Sequence, residues 1–87
     1  MSIVFPYGTA RCGVAYGVSF RAVVKGSAAV CFVPPHVFVQ CLEASSCTCA
    51  EMFACFDRHW ARIEEAARAR FTRGGALTIH LTEDDFA

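Results

Sequence analysis

The sequence predicts an α+β domain of two layers, an antiparallel sheet of three or four strands covered on one face by a short helix and a long one. Three observations lead there. Apolar Cys49, Phe53, Phe56, Trp60, Ile63, Ala67 and Phe71 recur at three- and four-residue steps between Thr48 and Arg73, which is the mark of one buried helical face. Val18, Phe20, Ala22 and Val24 alternate with Ser19, Arg21, Val23 and Lys25, as in a strand whose sheet is covered on one side only. Lys25-Gly26-Ser27 then separates this run from a second β-forming stretch, Ala28 to Val33, as the turn of a hairpin.

Taken in order, Ile3 to Phe5 forms a short strand before Pro6, and Tyr7-Gly8-Thr9-Ala10 turns the chain. Gly13 to Val24 is mostly small, β-branched or aromatic and reads as the first hairpin strand. Pro34-Pro35 ends the second strand and pre-sets φ for a helical turn, so His36 to Leu42 or Glu43 is a short helix with Val37, Phe38, Cys41 and Leu42 inward. Ala44-Ser45-Ser46 is a loop. Thr48 and Glu51 then make a capping box, and the long helix runs unbroken to about Arg73. Gly74-Gly75 suits its left-handed end, and Arg68, Arg70 and Arg73 suit its dipole. Leu77, Ile79 and Leu81 alternate with Thr78, His80 and Thr82 as a last strand, followed by an exposed acidic end, Glu83-Asp84-Asp85, with Phe86 docking back.

Residues 1–87 are read as a single domain with a thin core. At 55% hydrophobic and 13% aromatic residues, the chain is too rich in core formers for disorder and has apolar surface left over for a partner. A formal net charge of zero removes the electrostatic footprint of a protein made for phosphate backbones or anionic membranes, and it favours self-association. The opening residues carry no basic segment followed by an apolar one, and no apolar run reaches the length of a membrane span. A soluble cytoplasmic protein is expected, with its six cysteines as thiols.

The sharpest chemical feature is the cysteine set. Cys47 and Cys49 stand two apart, and Cys55 and His59 lie on adjacent helical turns from which both could hold one ion. Zinc sites use pairs with two to four residues between them, whereas Cys47-Thr48-Cys49 has one. Cys12, Cys31 and Cys41 read as core. Cys47 precedes a helix N-terminus, where a thiol is activated, but no base among His36, His59 and His80 can be assigned to it. Arg58, Arg62, Arg68, Arg70 and Arg73 spread around the helix among Asp57, Glu64 and Glu65, as on a solvated face, with Glu64 and Arg68 ordered for an ion pair. Asp84 and Asp85 read as a solubilising end. Trp60, Phe53 and Phe56 read as core and not as a ligand platform. The glycines form neither a phosphate loop nor a dinucleotide fingerprint, so nucleotide binding through those loops is excluded.

The chain resembles the small bacterial family catalogued as domain of unknown function 1488 over nearly its whole length. The resemblance is carried by Phe5-Pro6, Val18-Ser19-Phe20, Gly26 and Cys31-Phe32-Val33, then by Phe56, Trp60, Arg62, Ile63 and Ala67, and finally by Leu81-Thr82 and Asp85-Phe86. These are mostly framework residues. The resemblance implies a shared fold and brings no activity, cofactor or site residue, and this chain departs from the family in its number of cysteines.

The function expected from the sequence is therefore a small non-catalytic protein-interaction module, a homodimer touching through the hairpin's outer face around Val23 or through a free sheet edge. No catalytic residue, cofactor or metal ligand is assigned, and neither a membrane nor nucleic acid is the expected partner. One alternative is a metal or thiol-redox protein using Cys47, Cys49, Cys55 and His59. Another is a small nucleic-acid-associated regulator acting through its helical arginines.

Overall fold

The computed structural model describes residues 2–87. Its order is β1 (Ile3–Val4), β2 (Arg11–Gly13), β3 (Gly17–Val24), β4 (Ser27–Val33), α1 (Pro35–Cys41), α2 (Cys49–Arg58), α3 (Trp60–Gly74), β5 (Thr78–His80) and a closing 3₁₀ turn, Glu83–Phe86. The two-layer α+β architecture is as the sequence implies. The sheet has five strands among the described residues and is mixed.

β3 and β4 form the expected hairpin, with Val24 opposite Ser27 and Val18 opposite Val33. Its two-residue turn, Lys25-Gly26, has positive φ at both positions (51° and 82°), which matches the twist of the strands it joins. β1 and β2 both pair antiparallel with β3, one at each end of the same edge. The stretch from Gly13 to Val24, expected as one strand, is thus divided by a turn at Val14–Tyr16 that folds Arg11–Gly13 back onto Gly17–Ser19. Composition hides this turn, because Val14 and Tyr16 are themselves good β formers. β5 pairs parallel with β4. The chain leaves β4, crosses the helical layer and returns in the same direction, the connection that a parallel neighbour requires.

Pro34 is extended and Pro35 opens α1, whose Val37, Phe38 and Leu42 side are fully buried while Cys41 is half-buried. The long helix is in fact two. His59 closes α2, its N–H donating to the Cys55 carbonyl at 2.9 Å, and opens α3, its carbonyl accepting from Arg62 and Ile63. No proline or glycine marks this break, and the helical pattern runs straight through it. α2 packs on β2 and β3, whereas α3 meets the closing 3₁₀ turn, so each half follows its own packing partner and overrides local continuity.

The core lies between the layers. Val18, Phe20, Ala22 and Val24 of β3 and Cys31 and Val33 of β4 face Val37, Phe38, Met52, Cys55, Ile63, Ala67 and Phe71. No charged or polar side chain is buried there among the described residues.

Candidate interaction surface

Among the described residues no layer covers the second face of the sheet. The registers set its side chains in cross-strand rows: Arg11, Ser19, Phe32 and His80; then Arg21, Val30 and Thr78; then Val4, Val23 and Ala28. Val23, Val30 and Phe32 are half-buried by their neighbours alone, and Val4 is 54% exposed. Phe32 stacks flat on the His80 ring (centroids 4.7 Å apart, 10° between planes), and Tyr16, 44% exposed, meets Phe32 edge-on at 5.8 Å. These three rings form an aromatic ladder along one side of the face.

The charge on this side is of one sign. All eight Asp and Glu residues lie at or beyond Glu43, and before that point the only charged side chains are Arg11, Arg21 and Lys25. Arg11 and Arg21 sit on the open face and Lys25 in the turn at its end. Among the described residues none of the three makes an ion pair, although Arg11 donates to the Ala10 carbonyl at 2.9 Å. Zero net charge therefore conceals a cationic sheet side, with every carboxylate on α2 or α3, in the loop after α1 or in the closing 3₁₀ turn. From the sequence His80 reads only as a possible base and Phe32 only as a framework residue, and nothing joins them to Tyr16, yet two signals point to the ladder. Val30 and Phe32 hold the outward positions of a strand whose inward positions are Ala29, Cys31 and Val33, and the first forty-two residues contain no acid.

The cysteines do not assemble as a ligand set. Cys49 is joined by a disulfide to Cys12, linking α2 to β2, which corrects the expectation of six free thiols. Cys47 is exposed and Cys55 is buried, its thiol 3.8 Å from a Glu51 carboxylate oxygen. Burial, with the Glu51 charge second, pushes the Cys55 thiol up, and burial pushes Cys31 up further. His59 is turned toward Glu43, Nε2 to Oε1 being 3.9 Å. No group of three or more His, Cys, Asp or Glu side chains able to hold a metal ion occurs among the described residues.

The helical arginines serve as ties as well as a solvated face. Arg68 pairs with Glu64 at 2.9 Å, as the spacing predicts, and also donates to the Ile3 carbonyl at 3.0 Å and lies over the Phe5 ring. Arg62 donates to the Cys41 carbonyl, and Arg70 meets Asp85. Asp85 is accordingly no free acidic end, although Asp84 is exposed and Phe86 docks back under Arg62 as expected.

Phe5, Phe20, Phe56 and Trp60 pack on one another at 5.3 to 5.8 Å and are bordered by a cleft of about 400 Å³ under the Pro6–Ala10 loop. Phe56 is buried, and Phe53 and Trp60 pack half-buried against the core.

No helix among the described residues is long and apolar enough to cross a membrane. No curated protein and no solved structure matches the chain significantly. Residues 3–81 match the family described as a protein of unknown function (DUF1488), and with nearly the whole length covered the chain belongs to that family.

Proposed function

We propose that the chain is a non-catalytic interaction module that works through the open face of its sheet. The observation that carries this reading is the ladder Tyr16–Phe32–His80 together with Val4, Val23 and Val30, apolar surface contiguous across four strands with no helix over it. Apolar patches of this kind on small domains mark partner sites.

A homodimer is the simplest partner, but charge opposes it here. A two-fold axis through this face sets one cationic surface against another with no carboxylate to answer either, so a partner of unlike chemistry suits it better. Site-specific photo-crosslinking in cells tests the proposal. A crosslinker at Val30 on the open face is expected to give adducts, while one at Glu65, exposed on α3, gives none. Adducts from Glu65 alone, or from neither position, would overturn it, and a product of twice the chain mass from Val30 would identify the partner as a second copy.

A further inference from the structure

We infer that the open sheet face is a platform for single-stranded nucleic acid, with bases stacking on the Tyr16–Phe32–His80 ladder and phosphates meeting Arg11, Arg21 and Lys25. This rests on the reading of that face as the working surface and names the chemistry of its partner.

The occupant must answer two features at once. One is a cationic surface without a carboxylate in it, where Arg21 projects from the middle of the central strand and has no ion-pair partner among the described residues. It calls for an anion. The other is a run of flat rings, with His80 and Tyr16 exposed at either end of it, which calls for something with π faces. An acidic peptide satisfies the charge and leaves the rings unused. A single strand of nucleic acid brings both groups on every nucleotide, and aromatic rings on a groove or sheet lined by cations are the general means of holding one without reading its sequence.

A duplex does not fit. Its bases are stacked on each other and cannot reach rings on an open sheet, and three cations contact too few phosphates to hold its outside. The helical arginines are poorer candidates, because Arg68, Arg70 and Arg73 already face carboxylates, whereas Arg11, Arg21 and Lys25 face none among the described residues. The electrostatic objection that zero net charge raises is removed by segregation: every carboxylate lies on α2 or α3, in the loop after α1 or in the closing 3₁₀ turn, which packs on α1 and α3.

The test is fluorescence anisotropy of the full chain with labelled oligouridylate and oligothymidylate of about ten nucleotides, a duplex of equal length, and polyglutamate as competitor. The single strands are expected to bind at low salt. With three phosphates contacted, log K should fall with log salt at a slope of about −2, a loss of about 100-fold over a tenfold rise in salt. Arg21→Gln is expected to reduce that slope by about 0.7. His80→Ala is expected to loosen binding about tenfold and leave the slope alone. Both positions are exposed, and an unchanged thermal transition will show that these variants are folded. Arg58→Gln, on the helical layer, is expected to change nothing.

Absence of single-strand binding at low salt overturns the inference, as does binding that survives Arg21→Gln and His80→Ala but is lost in Arg58→Gln. If polyglutamate binds with the same dependence on Arg21 while the oligonucleotides do not, the partner is an acidic protein. The inference then fails, and the reading of the face as an interaction surface stands. Missing crosslinks from Val30 would remove both.

Discussion

Asp85 holds Arg70 across 2.7 Å, and the same carboxylate oxygen accepts the Thr82 N–H at 2.8 Å and the Thr82 hydroxyl at 3.2 Å. Arg70 also donates to the His80 carbonyl at 3.2 Å. One carboxylate thus closes the last turn of the chain and ties the end of β5 to α3, and its side chain is only 6% exposed. Asp85→Asn keeps the shape and removes the charge that answers Arg70. It is expected to cost about 1.5 to 3 kcal/mol, measured by urea unfolding. Asp84→Asn, at an exposed position, should stay within about 0.5 kcal/mol.

Glu51 supplies a pH dependence. Hydrogen bonds from the Ser45 N–H (2.9 Å) and then the Ser45 hydroxyl (3.1 Å) hold its carboxyl below the usual glutamate range. The folded state thus favours the ionised form. Its contribution to stability is complete above the ordinary glutamate value of 4.5 and is lost as pH falls through the lower folded value. Glu51→Gln should be less stable than the parent at neutral pH, and the two should converge in acid. Parallel unfolding curves at all pH values, or a carboxyl that titrates in the ordinary range by NMR, would refute this.

Glu51 also shows how much of this fold can be read from sequence. Thr48 followed by Glu51 correctly marks a helix start, and Thr48 accepts the Glu51 N–H at 3.2 Å. The return half of the box is absent, since the Glu51 carboxylate is taken by Ser45. Spacing specifies which side chains can reach, and the loop decides which partner they meet. The alternation in β3 and the start of α1 were legible because each depends on neighbours in the chain. The break at His59, the parallel placement of β5 and the Cys12–Cys49 bridge were not, because each depends on residues brought together only by the finished fold. The open face was legible in part: its charge asymmetry is plain in the sequence, while the meeting of Tyr16, Phe32 and His80 needs three separate segments in register.

The Cys12–Cys49 bridge spans 37 residues and fastens β2 to the first turn of α2. Restricting a loop of that length in the unfolded chain contributes about 4 kcal/mol on a chain-entropy estimate. Reductant should therefore lower the unfolding midpoint. The Cys12→Ser, Cys49→Ser double variant should show the same lowered midpoint and no further response to reductant. Without reductant, a thiol reagent should label Cys47 quickly in the folded protein and reach Cys31 and Cys55 only on unfolding. A midpoint indifferent to reductant, or rapid labelling at Cys12 and Cys49, would show that the two are thiols.

Gly17 is where the β2–β3 hairpin meets β4, and it combines two constraints. Its φ is 88°, a conformation that L side chains rarely adopt, and a Cβ there would collide with the Val33 carbonyl. Gly26, in the hairpin turn, shares the first constraint (φ 82°) but has open space where the Cβ would go. Gly26→Ala should cost only about 1 kcal/mol for the backbone strain. Gly17→Ala should cost at least about 2 kcal/mol, because the atoms a Cβ would meet are backbone atoms of Val33 and Pro34, and relieving the collision means moving β3 away from β4. The excess of the first loss over the second, measured by denaturant unfolding of both variants, isolates the close approach. Equal losses would mean that β3 and β4 stand further apart at Val33 than this packing requires.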